Sequence, residues 1–248
     1  MNEIMKNQLA QFNDEGYVVF NLNDSKSLID EINSDIQQLI ENGEYKTNSK
    51  IYSYNNSPRI VESWRYSKAA KKLAFNEQIL AFLSEFYQSV PQPFSTINFL
   101  RSTEQPLHSD YIHFGTIPHF RLAAAWVALE DINPASGPIQ LVPGSHKMPA
   151  VCFSDLGLPA ARSLGDVKRN YTMYEDYVRD ELIRLNIEPI SPPLVLGDVI
   201  IWSANLLHGS PNCVDNRLSR RSQVTHYHFS ETEMFYNPSF SRIHEQKF

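Results

Sequence analysis

The chain opens on a mixed polar and apolar segment, residues 3–15, that predicts a short helix, and then on an extended apolar run, Tyr17-Val18-Val19-Phe20. Asn23-Asp24-Ser25 supplies side-chain oxygens of the kind that start helices. Leu28, Ile29, Ile32, Ile36, Leu39 and Ile40 follow at helical spacing until Asn42-Gly43. Residues 44–62 are polar and read as irregular. Another helical region is predicted over 67–89, with Ala70, Leu73, Ile79, Leu80, Leu83 and Phe86 on its apolar side.

From residue 94 the texture changes to short β-rich runs: Phe94–Leu100, Leu122–Leu129, Ile139–Val142, Leu194–Leu196, Val199–Trp202 and Gln223–Phe229. Turn signals separate them, among them Asn133-Pro134, Ser136-Gly137-Pro138 and Pro143-Gly144-Ser145. Helices first and short strands after predict an α+β, mainly β chain with a core of the jelly-roll type. Residues 150–192 interrupt the strand pattern with a helical stretch near Tyr174–Leu185, which predicts an insertion lying over one mouth of the barrel as a lid. One domain is expected over 1–248: helical support at 1–93, core at 94–229 and a tail at 230–248.

Composition narrows the class. A chain of 248 residues that is 42% hydrophobic can bury one sizeable core. A net charge of −6 gives no basic footprint, so nucleic acid is not an expected partner. No apolar stretch approaches the roughly 18 residues of a membrane span. The N-terminus has no basic segment leading into an apolar run, so a soluble, cytoplasmic protein without a membrane partner is expected. The two cysteines, Cys152 and Cys213, read as free thiols in a reducing compartment. Oligomeric state is not specified by any pattern.

The candidate chemistry lies in His108-Ser109-Asp110, His208 and Arg220. Two imidazoles and one carboxylate are the ligand set of a facial iron(II) site with open positions. Positions i and i+2 of a strand share a face, so one strand end is expected to aim His108 and Asp110 at one metal. Arg220 offers a planar fork suited to a carboxylate, and Ser222 and Val224 share its strand face. A lone His-x-Asp triplet in a chain with eight histidines is more often a surface pair, and only the combination in a jelly-roll pattern gives it weight. His146 sits in a turn and reads as structural. His113, His119, His226 and His228 have no assigned role, although His226 shares a strand face with Arg220.

Several blocks occur in a definite order: Phe12-Asn13-Asp14-Glu15-Gly16-Tyr17, Pro106-Leu107-His108-Ser109-Asp110, Ala125-Trp126-Val127-Ala128-Leu129-Glu130-Asp131, the run Ser136 to Lys147, Gly197-Asp198-Val199 and His208-Gly209-Ser210. In these the chain resembles the phytanoyl-CoA dioxygenase family of iron(II)- and 2-oxoglutarate-dependent oxygenases. The resemblance implies a double-stranded β-helix (a cupin-like jelly roll) with His108, Asp110 and His208 on iron(II). It implies that Arg220 binds the distal carboxylate of 2-oxoglutarate and that the Ser210 hydroxyl assists. Arg217 and Arg221 stay open as alternatives to Arg220. Trp126 matches an aromatic residue near the co-substrate and reads equally as a core tryptophan. The implied reaction consumes 2-oxoglutarate and O2, releases succinate and CO2, and hydroxylates a C–H bond of a small-molecule metabolite. Similar halogenases replace the carboxylate ligand by a small residue, so Asp110 favours hydroxylation. Two other readings stand beside this one: a non-catalytic protein on a retained scaffold, and a cupin-type metal protein independent of 2-oxoglutarate.

The expected substrate walls are residues 150–190, with Phe153, Arg162, Lys168, Arg169, Tyr171, Met173, Tyr174 and Tyr177, and residues 44–66, with Tyr52, Tyr54, Arg59, Trp64 and Arg65. Their mixture of aromatic and basic side chains suits a small anionic or polar molecule.

Overall fold

The Asn2 side chain accepts a hydrogen bond from the Met5 amide at 2.8 Å and starts helix α1, Glu3–Glu15. Gly16, with φ of 81°, ends it and turns the chain into strand β1, Tyr17–Asn21. The computed structural model describes residues 2–43 and 58–236. Helix α2, Lys26–Asn42, buries Ile29, Ile32 and Ile36. The helical region expected over 67–89 is two helices, α3 (Lys68–Ala74) and α4 (Glu77–Tyr87). Asn76 divides them because its side chain accepts from the amides of Gln78 and Ile79, which starts a new helix in place of continuing the old one.

The strands are β2 (Arg59–Val61), β3 (Pro91–Phe99), β4 (Phe114–Ile117), β5 (Leu122–Ala128), β6 (Gln140–Leu141), β7 (Asp198–Ser203), β8 (His208–Gly209), β9 (Ser222–Phe229) and β10 (Glu233–Tyr236). Six of them form one antiparallel sheet in the order β1-β7-β5-β9-β3-β2. Two short pairs, β10-β4 and β6-β8, make up the second layer, which single bridges at Leu141–Ile190 and His108–His208 extend. This is a jelly-roll core, as expected.

Alternation decides which side chains enter the barrel. Every residue of β5 is buried. Ala123, Ala125 and Val127 pack under α1–α4 with Phe12, Ile29, Leu73 and Phe82. Ala124, Trp126 and Ala128 point the other way, into an interior shared with Trp202, Ile200, Val224 and Leu141. On β9, Gln223 and Tyr227 face the helices and bond the carbonyls of Ala70 and Ala74 at 3.0 and 2.9 Å.

Several expectations change. The first 93 residues are not helical support alone, since β1 and β2 lie on the two edges of the large sheet. Leu194–Leu196 is not a strand: the amides of Val195 and Leu196 are taken by the carboxylates of Asp198 and Asp131, at 2.8 and 2.9 Å. Ile139–Val142 contracts to the two residues of β6, whereas β4 and β10 were not foreseen, and β10 carries the core past residue 229. Within the stretch read as irregular, Arg59–Val61 is a strand, and residues 44–57, with Tyr52 and Tyr54, lie outside the described residues, as do 237–248 of the tail.

The insertion holds helix α5, Leu164–Leu185, capped by the Ser163 hydroxyl accepting from the Asp166 amide at 3.1 Å. It is about a helix-half longer than the stretch expected. Val167, Tyr171, Tyr174, Val178 and Leu182 form its buried stripe against Ile112, Val142 and Leu207. No helix among the described residues is long and apolar enough to cross a membrane.

Phe12 meets the rings of Phe86, Phe82 and Tyr87 at 4.5, 5.4 and 6.3 Å. Phe12→Ala is expected to lower stability by about 3–5 kcal/mol in urea denaturation. Metal affinity of the folded variant should be unchanged, because this cluster lies on the opposite face of the large sheet from the barrel interior. A much smaller loss would show that the helical layer unfolds independently of the sheet.

Candidate metal centre and carboxylate pocket

His108 and His208 exchange two backbone hydrogen bonds, each amide donating to the other's carbonyl at 2.9 Å. Such a pair is the hydrogen-bonded position of an antiparallel ladder, and it sets the two imidazoles side by side with centroids 4.5 Å apart. Gly209 makes the approach possible: a Cβ there would lie 2.7 Å from the Gln105 carbonyl oxygen. Asp110 does not follow His108 on a strand end, as the i, i+2 reading expected. It opens a 3-10 turn, Asp110–Ile112, that swings its carboxylate round to the imidazoles. One ligand atom from each of His108, Asp110 and His208 lies within 4.8 Å of the others, and all three residues are buried.

The tautomers are fixed by neighbours. His108 Nδ1 is 2.8 Å from the Pro106 carbonyl oxygen and His208 Nδ1 is 3.0 Å from that of Leu206. A carbonyl only accepts, so each Nδ1 carries the proton and each Nε2 keeps its lone pair. Asp110 Oδ2 accepts from Trp202 Nε1 at 2.8 Å. Its Oδ1 is 3.6 Å from the Nε2 atoms of both His208 and His226. From the insertion, the Tyr174 hydroxyl accepts the Ser109 amide at 3.1 Å and pins the residue between the two candidate ligands.

Burial, then repulsion from His208 and His113, holds the His108 imidazole well below its usual range, and burial lowers His208 too. Burial opposes ionisation of Asp110, but attraction to His208 and His226 and the N–H that His226 offers keep its carboxyl well below the ordinary range. Neutral imidazoles beside a carboxylate are the protonation states a divalent metal needs. Behind them His113 stacks on Tyr171 with centroids 5.4 Å apart, and burial brings its imidazole down to about 4.

Arg220 enters the interior just before β9, its amide held by the Leu100 carbonyl at 2.9 Å. The guanidinium is 3% exposed. It donates to Ser210 Oγ at 2.9 Å and to the Gly137 carbonyl at 3.5 Å, and sits 5.7 Å from the Trp126 ring and 5.8 Å from that of Phe99. Its Nε has no hydrogen-bond partner, and among the described residues no carboxylate pairs with it. Burial lowers its pKa to about 10, so it stays cationic at neutral pH. A buried guanidinium without an anion is unfavourable by itself, and its open fork suits an arriving carboxylate. Arg217 instead projects into solvent beside Asp215, and Arg221 lies on the helical side of the sheet near Gln37.

The expected substrate walls are largely corrected. The apolar stripe of α5 turns Tyr171 and Tyr174 inward, which leaves Lys168, Arg169, Met173 and Tyr177 exposed, and Arg162, ahead of the helix, is exposed as well. Arg65 is exposed and paired with Glu62 at 2.7 Å. Arg59 is the basic residue of these walls that is buried. Two residues of the site had no role in the sequence reading, Trp202 and His226. The alternation of Ile200 and Trp202 and the parity of His226 with Arg220 were the available signals. His226 is held between Phe114 and Phe94, centroids 5.3 and 5.9 Å away. His146 is a pin, its Nε2–H donating to the Asn13 carbonyl at 3.1 Å. His119 is exposed, and His228 contacts the Thr232 hydroxyl at 3.3 Å.

Fold and geometry together define a cupin-like jelly roll with a buried two-histidine, one-carboxylate cluster and a separate arginine pocket. The chain belongs to the phytanoyl-CoA dioxygenase (PhyH) family, whose sequence profile matches residues 12–222. It is 30% identical over 112 residues to a probable phytanoyl-CoA dioxygenase of Caenorhabditis elegans, a match covering 44% of this chain and 31% of that one. It is 29% identical over 114 residues to the peroxisomal phytanoyl-CoA dioxygenase of Rattus norvegicus, covering 44% and 29%. These matches therefore span about a third of the length of the curated relatives. Among solved structures, the epimerase SnoN in complex with Fe3+, alpha ketoglutarate and nogalamycin RO superposes with a TM-score of 0.69 at 19% identity, over 95% of this chain and 87% of that one. EctD from S. alaskensis with 2-oxoglutarate and 5-hydroxyectoine gives 0.68 at 19% identity, over 90% and 75%. At these identities the likeness is one of fold.

Trp202→Phe removes the donor to Asp110 Oδ2 while keeping the ring. It is expected to weaken binding of cobalt(II), read by calorimetry, by about 10–100-fold. Unchanged affinity would show that the indole does not hold the carboxylate.

The lowered His113 also has a consequence for the metal-free protein. Its folded form takes up a proton less readily than the unfolded chain, so between about 6.5 and about 4 the unfolded state binds more protons. Stability is therefore expected to fall as pH is lowered through that window. The urea midpoint of His113→Gln should fall less steeply, and parallel curves would remove His113 from the account.

Proposed function

We propose that the protein is an iron(II)- and 2-oxoglutarate-dependent dioxygenase that hydroxylates a C–H bond of a small-molecule metabolite. The observation that carries this is the pairing of a three-ligand cluster with a buried arginine that, among the described residues, has no anion of its own. His108, Asp110 and His208 hold the iron. Arg220 and Ser210 hold the distal carboxylate of 2-oxoglutarate, with Trp126 as a wall of that pocket. SnoN in complex with alpha ketoglutarate and EctD with 2-oxoglutarate lend support from the same fold. When bound, iron(II) supplies the oxidation: one atom of O2 goes to 2-oxoglutarate, which becomes succinate and CO2, and the other to the substrate.

The chain's own residues prepare for this. The Pro106 and Leu206 carbonyls orient the imidazoles. The Trp202 N–H occupies Asp110 Oδ2 and leaves Oδ1, the oxygen nearer His208, for the metal. Asp110 takes the position that a halide would need, which favours hydroxylation. Tyr174 of helix α5 holds the Ser109 backbone between the two candidate ligands. We place the protein in the cytoplasm, supported by two free thiols, Cys152 and Cys213, although the rat relative is named peroxisomal.

An anaerobic titration with iron(II) and 2-oxoglutarate tests this through the weak visible band of the metal chelate. The wild-type protein should develop the band and, once oxygen is admitted, form succinate only when both are present. Asp110→Ala should lose iron binding, and Arg220→Ala should weaken 2-oxoglutarate by about 10- to 150-fold. A wild-type protein that binds metal and shows no band would leave a cupin-type metal protein or a binding protein.

A further inference from the structure

One row of the large sheet faces Asp110 with two ring nitrogens. Trp202 on β7, Ala124 on β5 and His226 on β9 are register partners, and Ser95 on β3 stands on the other side of His226. Ala124 and Trp202 belong to the barrel interior, so the whole row faces inward. Trp202 Nε1 donates to Asp110 Oδ2 at 2.8 Å, and His226 Nε2 lies 3.6 Å from Oδ1. Neighbouring strands run about 4.8 Å apart. The small Ala124 therefore leaves room between indole and imidazole for the carboxylate that both face.

This arrangement uses one nitrogen of His226. A carboxylate only accepts, so it favours the tautomer with the proton on Nε2, and Nδ1 then keeps its lone pair. His226 is 6% exposed, and among the described residues its buried Nδ1 has no hydrogen-bond partner. A buried acceptor without a donor is destabilising. Packing does not require one here. The ring sits between Phe114 and Phe94, centroids 5.3 and 5.9 Å away, and those two rings meet edge to face at 5.3 Å. A phenylalanine would fill that slot with no nitrogen left over. Support for Asp110 accounts for Nε2 and leaves Nδ1 unexplained.

The surroundings of Nδ1 suit a visiting group. Both register neighbours of His226 are small, Ser95 and Ala124. Phe94 is buried, whereas Phe114 and His228, the next inward residue of β9, are partly exposed. The way from solvent to His226 therefore passes Phe114 and His228, and it ends beside Asp110.

We propose that His226 is a specificity-determining residue: its Nδ1 accepts a hydrogen bond from a hydroxyl or amide N–H of the molecule oxidised, whose apolar part lies on Phe94 and Phe114. This rests on the iron and 2-oxoglutarate reading, which makes Asp110 a ligand at the reacting centre. The substrate class is then an alcohol or amide with an apolar group beside the donor, in place of a bare hydrocarbon.

Benzyl alcohol and benzamide carry such a donor, and benzyl methyl ether and N,N-dimethylbenzamide keep the ring without it. Their Kd values are measured on wild type, His226→Phe, His226→Asn and His226→Gln. The readouts are saturation-transfer NMR on the zinc(II) protein and the shift of the chelate band in the anaerobic iron(II) and 2-oxoglutarate complex. Wild type should bind each donor about tenfold more tightly than its methylated control. His226→Phe should bind the two alike. An asparagine amide reaches the position of Nδ1 and a glutamine amide that of Nε2, so His226→Asn should keep part of the preference and His226→Gln none. Melting temperatures and zinc(II) affinity control for folding and for the hold on Asp110. A purely structural role would move these and leave the donor preference in place. The inference is overturned if wild type binds no probe, if it treats each pair alike, or if the preference survives in His226→Phe. A donor preference on the zinc(II) protein without any chelate band keeps the His226 site and overturns the 2-oxoglutarate reading alone.

Discussion

Two backbone hydrogen bonds between His108 and His208 organise the whole site. They join segments far apart in sequence and extend the small sheet by one rung. Each histidine then uses the carbonyl two residues before it, Pro106 for one and Leu206 for the other, to fix its ring. The antiparallel pairing thus sets position and tautomer of both imidazoles in one step. Asp110 needs separate support because it leaves the ladder, and Trp202 from β7 and Tyr174 from the insertion provide it. Backbone geometry places two of the candidate ligands, and side chains from distant elements place the third.

The barrel interior is electrically divided. At one end burial keeps the imidazoles neutral around one carboxylate. Nearby, Arg59 and Arg220 gather on Phe99 in a region otherwise lined by Trp126, Val224 and Ile97. In the proposed reading, a dicarboxylate held by Arg220 would reach toward a metal on the imidazoles at its other end. Apolar walls between them strengthen both attractions by keeping water away.

Much of this was legible in the sequence, for reasons that differ by element. Period-two alternation on β9 put Arg220 and His226 inside and Arg221 outside, as the structure has them. The helical spacing of α2 survived, and the helical region expected over 67–89 is present as two helices, because the Asn76 side chain starts a second one. Asp110 was misplaced for the same kind of reason: a local turn, invisible to periodicity, replaced a strand. Leu194–Leu196 has strand-like residues, but the carboxylates of Asp131 and Asp198 occupy its amides. The basic wall expected from the insertion failed on information the sequence already held. The spacing of Val167, Tyr171, Tyr174 and Val178 turns Lys168 and Arg169 to solvent. The support given by Trp202 could not be read locally, because it depends on how β7 meets the turn at Asp110, far away in the chain.

Tyr174 belongs to the insertion between β6 and β7. Its hydroxyl nonetheless holds the backbone between two candidate ligands. A segment grafted from a relative therefore brings its own anchor for the metal loop or none at all. Within this scaffold the insertion and the loop that carries His108 and Asp110 change as one module, and a transplant that ignores the anchor loosens that loop.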